Sequence, residues 1–292
     1  MKRLLISFLA LCLLSGCSQR SEPAWIAATT LPVYEFTARL CEDTPLTVTR
    51  LVTEEVSCLH DYSLNVRQVK AAEAAETIVI SGAGLEEFME DILQDRSAID
   101  ASAGLTLLTP EEHHHGEEEE NHEGHHHEED PHIWLSPVHA AAMTENICQG
   151  LTLRYPQYQE QFQSNLADLQ HELDDLNTYG QEQLAALTCR DLITFHDGFS
   201  YLAEAFDLHI LEAVEEESGS EASAKELIHL IEEVEHHNLP AIFTEKSGSV
   251  SAAGVIARET GCGQFTLDMA MAGDSYFEAM YHNIDTIKEA LG

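Results

Sequence analysis

The sequence predicts an α/β protein of two lobes, each with a parallel four-stranded sheet flanked by helices, joined by one long rigid helix. Three observations carry that expectation. Short β-rich runs alternate with helical stretches from Trp25 onward, and the same alternation returns from Leu192 to the C-terminus. Between them, apolar residues recur at Phe162, Leu166, Leu169, Leu173, Leu176, Leu184 and Leu187, with an early spacing of helical period. Regular strand–helix alternation implies parallel strands covered by helices on both faces. At 292 residues, 44% of them apolar, the chain can build one large or two medium domains.

In chain order, WIAATT (25–30) reads as a strand and Leu31 to Cys41 as a helix. LTVTRLV (46–52) is a second strand, Ser63 caps a helix running to about Glu76, and TIVISG (77–82) is a nearly unbroken apolar strand. A further helix starts near Leu85. In the second lobe, LITF (192–195), LHILEA (208–213), AIFTE (241–245) and QFTLD (264–268) read as strands. Helices are expected at 198–206, 224–237, 250–260 and from Ser275. The expected divisions are an N-terminal lobe over 25–158, a linking helix over 159–187 and a C-terminal lobe over 188–292. The linking helix would be a rod of about 43 Å at 1.5 Å per residue, stiffer than a Gly/Ser linker.

The N-terminus reads as an export signal. Lys2 and Arg3 precede the apolar stretch Leu4 to Leu14, which is shorter than the roughly 20 residues a bilayer span needs and suits a signal peptide over 1–16. Leu14-Ser15-Gly16-Cys17 resembles the bacterial lipobox, in which the cysteine takes the lipid. The mature chain is then expected to begin at lipidated Cys17, with 17–24 as a tether, on the extracytoplasmic face of the cell membrane. Cys41, Cys58, Cys148, Cys189 and Cys262 remain, an odd number with no CxxC pair, so a zinc knuckle is not expected.

Charge narrows the partners. With 14 Lys+Arg against 52 Asp+Glu, the formal net charge is −38. A phosphate backbone would be repelled, so nucleic acid is not an expected partner, and no basic patch points to anionic lipid. Such a field attracts cations, although solubility alone is the plainer reading.

Histidines give the cation chemistry. Residues 111–130 hold seven histidines and ten acids without an apolar side chain, a composition that cannot form a core and is expected to be a disordered loop and a flexible ligand for borderline metals. His122-Glu123-Gly124-His125-His126 matches HExxH, but that motif works only on a packed helix; a glycine inside it and the absence of apolar flanks argue for a chance match. Three other histidines sit in structured settings: His60 in CLHDYSL, His132 in DPHIWLSP between two prolines, and His196 in TFHDGF at the carboxyl end of a strand. That edge of a parallel sheet is where ligands bind, and three histidines plus one oxygen make a natural tetrahedral zinc set. For the fourth ligand Asp268 and Glu245 compete. Asp61, Asp130 and Asp197 are placed to hold histidine rings through the second nitrogen or to cap the loops.

These residues resemble a known family, the metal-binding lipoproteins of bacterial ABC importers for zinc and manganese. HDYSL, TIVISGAGLE, DPHIWLSP, the long helix, HDGF and the C-terminal LD…YFEAMYHNIDTIKEAL carry the resemblance across the mature chain. The resemblance implies two α/β lobes with metal held between them by His60, His132, His196 and Asp268, and a His/acid-rich loop of the zinc-selective branch. It also implies Zn2+ as the transported ligand, an ABC permease and its ATPase subunit as partners, and a monomer without catalytic activity. One departure stands out. The family often reads DPH before its first ligand where this chain has Ser57-Cys58-Leu59-His60, which leaves Cys58, Glu245 or water as alternatives to Asp268. A manganese or iron carrier, a zinc-dependent hydrolase using a nearby acid, and an added role in cell adhesion are the competing functions.

Overall fold

The computed structural model describes residues 26–56, 59, 62–109, 129–214, 223–248 and 250–292. Cys17, Cys58, His60, Asp61, the signal peptide and residues 111–128 of the His-rich segment lie outside the described residues.

The N-terminal lobe runs β1 (Ile26–Ala28), α1 (Leu31–Leu40), β2 (Val48–Arg50), α2 (Val66–Ala74), β3 (Thr77–Ile80), α3 (Glu90–Leu93) and β4 (Ile99–Asp100), then α4 (Pro137–Arg154). Helix α5 (Gln159–Leu184) follows. The C-terminal lobe contains β5 (Asp191–Phe195), α6 (Ser200–Ala205), β6 (His209–Ala213), α7 (Ala224–His237), β7 (Ala241–Glu245), α8 (Ser251–Thr260), β8 (Gly263–Leu267) and α9 (Tyr276–Leu291). Both sheets are four-stranded and parallel throughout, in the orders β2-β1-β3-β4 and β6-β5-β7-β8. The expected fold class is therefore observed, and the second lobe repeats the strand order of the first.

Side-chain alternation explains how each sheet is covered. In β1, Ile26 and Ala28 face the large core that spans both lobes, whereas Ala27 joins a smaller outer cluster with Ile78 and Met89. In β7, Ala241 and Phe243 face the shared core and Ile242 the outer cluster of Leu230 and Ile256. A period of two places neighbours on opposite faces, so the central strands β1 and β7 are buried on both sides, whereas β2 and β6 at the sheet edges are partly exposed.

Several boundaries differ from expectation. The α2 cap is Asn65 rather than Ser63. Its side chain accepts from the Arg67 and Gln68 amides while the Gln68 side chain accepts from the Asn65 amide, a reciprocal box that satisfies two otherwise orphaned donors. The same helix ends at Ala74, because Ala75 turns extended to enter β3. Strand β4 has two residues, too few for a periodic signal.

Helix α5 spans 26 residues rather than 29, about 39 Å at 1.5 Å per residue. It is packed along its length, not a free rod. Phe162, Leu169, Leu173, Leu176 and Leu184 are buried against α1, α4 and α9. Polar ties add to this packing: Arg39 pairs with Glu172 at 2.7 Å and Tyr179 donates to Asp285 at 2.7 Å. A Cβ at Gly180 would stand 2.2 Å from the Phe206 ring, so only glycine lets that ring lie against the helix. Among the described residues, no helix is long and apolar enough to cross a membrane.

Candidate metal centre

The carboxyl edges of the two sheets face each other across the inter-lobe cleft, and the loops leaving them carry the candidate ligands. His132 lies in the turn before α4. Asp130, 6% exposed, accepts from the His132 amide at 2.8 Å and stands 2.8 Å from the ring Nδ1. That contact fixes the ring and leaves Nε2 for a ligand. Asp130 was expected inside a disordered segment; instead its amide donates to the Leu108 carbonyl at 2.8 Å and its carbonyl accepts from the Tyr201 hydroxyl at 3.2 Å. Burial with those bonds makes the end of the segment rigid.

The opposite lobe grips the same turn. Trp134 Nε1 donates to the Met269 carbonyl at 2.8 Å, and the Tyr276 hydroxyl donates to the Trp134 carbonyl at 2.8 Å. Leu31 donates to the Met271 carbonyl, and an Arg50 guanidinium nitrogen to the Gly273 carbonyl at 2.8 Å. The loop after β8 is thus held to three separate parts of the N-terminal lobe.

His196 enters from β5, one residue beyond its end. Its ring and that of His132 meet edge to face, with centroids 5.4 Å apart and planes at 84°. A Cβ at Gly198 would come 2.8 Å from the His196 ring, so the glycine of HDGF makes room for the imidazole. Glu245 Oε2 stands 3.8 Å from His196 Nδ1, an ion-pair separation rather than a hydrogen bond. Burial, with the Asp268 carboxylate beside it, pushes the Glu245 carboxyl up to about 8.

The rivalry for the fourth position now has a geometry. Glu245 is 3% exposed and stands on the Nδ1 side of His196, where a carboxylate orients the ring. Asp268, one residue beyond β8, is 14% exposed. Its amide donates to Asn283 at 2.7 Å, its Oδ1 accepts from the Ala270 amide at 2.8 Å, and Lys246 Nζ lies 3.1 Å from Oδ2. Among the described residues no three His, Cys, Asp or Glu side chains form a group spaced to hold a metal ion. The structure does bring His132 and His196 together from opposite lobes. Sequence reasoning missed Lys246 and the role of Glu245 beside His196; the signal was the paired ends of AIFTEK and QFTLD, legible only once strand register is known.

Comparison with known proteins identifies the family and the fold. The family model described as zinc-uptake complex component A, periplasmic, matches residues 26–290. The chain is 29% identical over 307 aligned positions to the zinc-binding lipoprotein AdcA of Streptococcus pneumoniae, covering 99% of this chain and 61% of that protein. It therefore spans about three fifths of that relative's length. It is 26% identical to the high-affinity zinc uptake system protein ZnuA of Bacillus subtilis, covering 94% of this chain and 90% of that one. The crystal structure of the Zn(II)-bound ZnuA-like domain of the pneumococcal AdcA superposes with a TM-score of 0.76 at 27% identity, over 91% of this chain and 98% of that domain.

Proposed function

The chain belongs to the zinc-uptake complex component A family, and from that premise we propose that it is the extracytoplasmic metal-capturing component of an ABC importer. It takes Zn2+ into the inter-lobe cleft and delivers it to the membrane permease, which an ATPase subunit drives. The observation that carries this reading is the meeting of His132 and His196 from opposite lobes, each with a carboxylate on its Nδ1 side. A carboxylate behind an imidazole raises its basicity and aims the other nitrogen at a metal.

In this reading the ligands are His60, His132, His196 and Asp268, and Glu245 supports His196 from behind. Nitrogen-rich sites favour zinc over manganese, whose chemistry suits oxygen ligands. The family is one of metal-binding transport proteins, and the protein is read as non-catalytic and monomeric. It is held at the membrane by lipid on Cys17, with the histidines of 111–128 acting as an auxiliary collector.

The test is metal analysis of protein purified without chelator, followed by competition titration with zinc and manganese. One tightly bound zinc per chain, with affinity reduced on the order of a thousandfold in His132→Ala or His196→Ala, is the expected result. Preferential retention of manganese or iron would favour the other carrier, and a His132→Ala variant holding zinc at full affinity would remove the proposed site.

A further inference from the structure

We propose that Lys246 is a built-in counter-cation of the metal site, competing with the incoming ion for the Asp268 carboxylate and so tuning how tightly metal is held and how readily it leaves. The inference rests on reading Asp268 as a ligand.

Strand register puts the two residues together. β7 and β8 pair in parallel with Glu245 opposite Leu267, and the Lys246 amide donates to the Leu267 carbonyl at 2.9 Å. One step beyond this last pair, Lys246 and Asp268 leave the sheet side by side. The Nζ–Oδ2 separation of 3.1 Å is a charge-assisted hydrogen bond. A lysine after one strand and an aspartate after its neighbour therefore produce this contact without help from a loop.

The two partners differ in freedom. The lysine side chain is 48% exposed, whereas the aspartate side chain is 14% exposed and its Oδ1 is held by the Ala270 amide. The ammonium can swing away on its flexible stem; the carboxylate stays. Glu55, on the N-terminal side of the cleft, lies 3.9 Å from Nζ and offers an alternative partner. Glu55, Lys246 and Asp268, with Glu245 and Met269, line one small cavity at the cleft.

Competition follows from charge. A divalent cation at Asp268 must displace the ammonium from Oδ2 or bind beside it, and either way an interaction made only without metal is lost. Any group that binds the metal-free form better lowers metal affinity by that difference. Exposed ion pairs set the scale, about fivefold in affinity.

The experiment is a chelator-competition titration, with stopped-flow release, on wild type, Lys246→Met, Lys246→Arg, Asp268→Ala and the Lys246→Met/Asp268→Ala double variant. Lys246→Met keeps the stem and removes the charge; it is expected to bind zinc about fivefold tighter and to release it more slowly. Lys246→Arg, which holds a carboxylate at least as well, is expected to bind no tighter than wild type. The effect of Lys246→Met should vanish in the Asp268→Ala background. If lysine merely positioned the carboxylate, Lys246→Met would bind more weakly and arginine would rescue, which would overturn the inference. Should Asp268→Ala keep full zinc affinity, the ligand reading falls and takes the inference with it. Weakened binding in Asp268→Ala with no tightening in Lys246→Met removes the inference alone.

Discussion

The two lobes share a strand order and each buries a glutamate near the carboxyl edge of its third strand in chain order, yet the two carboxyls serve different ends. Glu86 follows β3 after a tight turn in which Gly82, Ala83 and Gly84 all take positive φ. That turn points its carboxyl back beneath the strand ends. The Thr29 hydroxyl and the Ser81 amide donate to Oε1 at 2.7 and 2.8 Å, and the Gly82 amide to Oε2 at 3.0 Å. It ties β1 to β3. Glu245 ends β7 itself; it accepts one backbone hydrogen bond, from Ser247, and otherwise faces His196 and Asp268. Burial is comparable, at 4% and 3% exposure, so burial alone does not mark a functional carboxyl. What separates them is how fully local donors satisfy the group: three donors bind Glu86 into the fold, and Glu245, with one backbone donor, remains available to respond to a cation.

The largest expected effect tests the structural half of that contrast. Glu86→Ala removes an acceptor from three donors, at about 1 kcal/mol or more for each, so a loss of about 3 kcal/mol is expected in denaturant unfolding. Zinc stoichiometry should be retained. A variant of full stability that has lost zinc would reverse the assignment of roles.

Next come the carboxylates behind the histidines. Asp130→Asn keeps the shape of the side chain but not its charge, and is expected to weaken zinc binding by about 10- to 100-fold. Glu245→Gln should fall at the lower end, about tenfold, because its 3.8 Å contact is looser than the 2.8 Å contact of Asp130. Titration calorimetry in buffers of different ionisation enthalpy sharpens the point. Wild-type Glu245 holds its proton at pH 7 without metal and should give it up as the cation enters, so Glu245→Gln should release fewer protons per zinc.

A further expected effect is on pH dependence. Burial pushes the Glu86 carboxyl up to about 7 and the Glu245 carboxyl up to about 8. A raised carboxyl favours the folded protein while protonated. Its contribution is complete below the unfolded value near 4.5 and disappears as pH rises through the folded one. Stability of the metal-free protein should therefore decline from about pH 4.5 to 7 through Glu86 and on to about 8 through Glu245. Denaturant midpoints should show Glu86→Ala reducing the slope only below about pH 7, and Glu245→Gln reducing it over the whole range to about 8.

Much of this molecule is readable from the chain alone, and for a definite reason. Strand and helix types follow from local apolar periodicity, which is why the parallel sheets and long helix match expectation. The limits of α2 and the two-residue β4 were not readable. One depends on a side-chain box and the other on pairing with β3, and neither leaves a periodic trace. His132 stands out because prolines that constrain the backbone flank it, and His196 because a glycine two residues on leaves room for its ring. Which carboxylate stands behind which histidine was not legible. Asp130 could be inferred from its neighbourhood two residues away, but Glu245 is distant in sequence from His196 and reaches it only through the pairing of β5 with β7.

The sequence by itself thus determined the element types, the two-lobe plan and the histidines and acids available for metal chemistry, because these are properties of short windows and composition. Tertiary structure decided that Glu86 is consumed by amides, that Glu245 backs His196, and that Lys246 meets Asp268. Those are facts of strand register and loop closure, in which residues far apart in the chain come within a few ångströms.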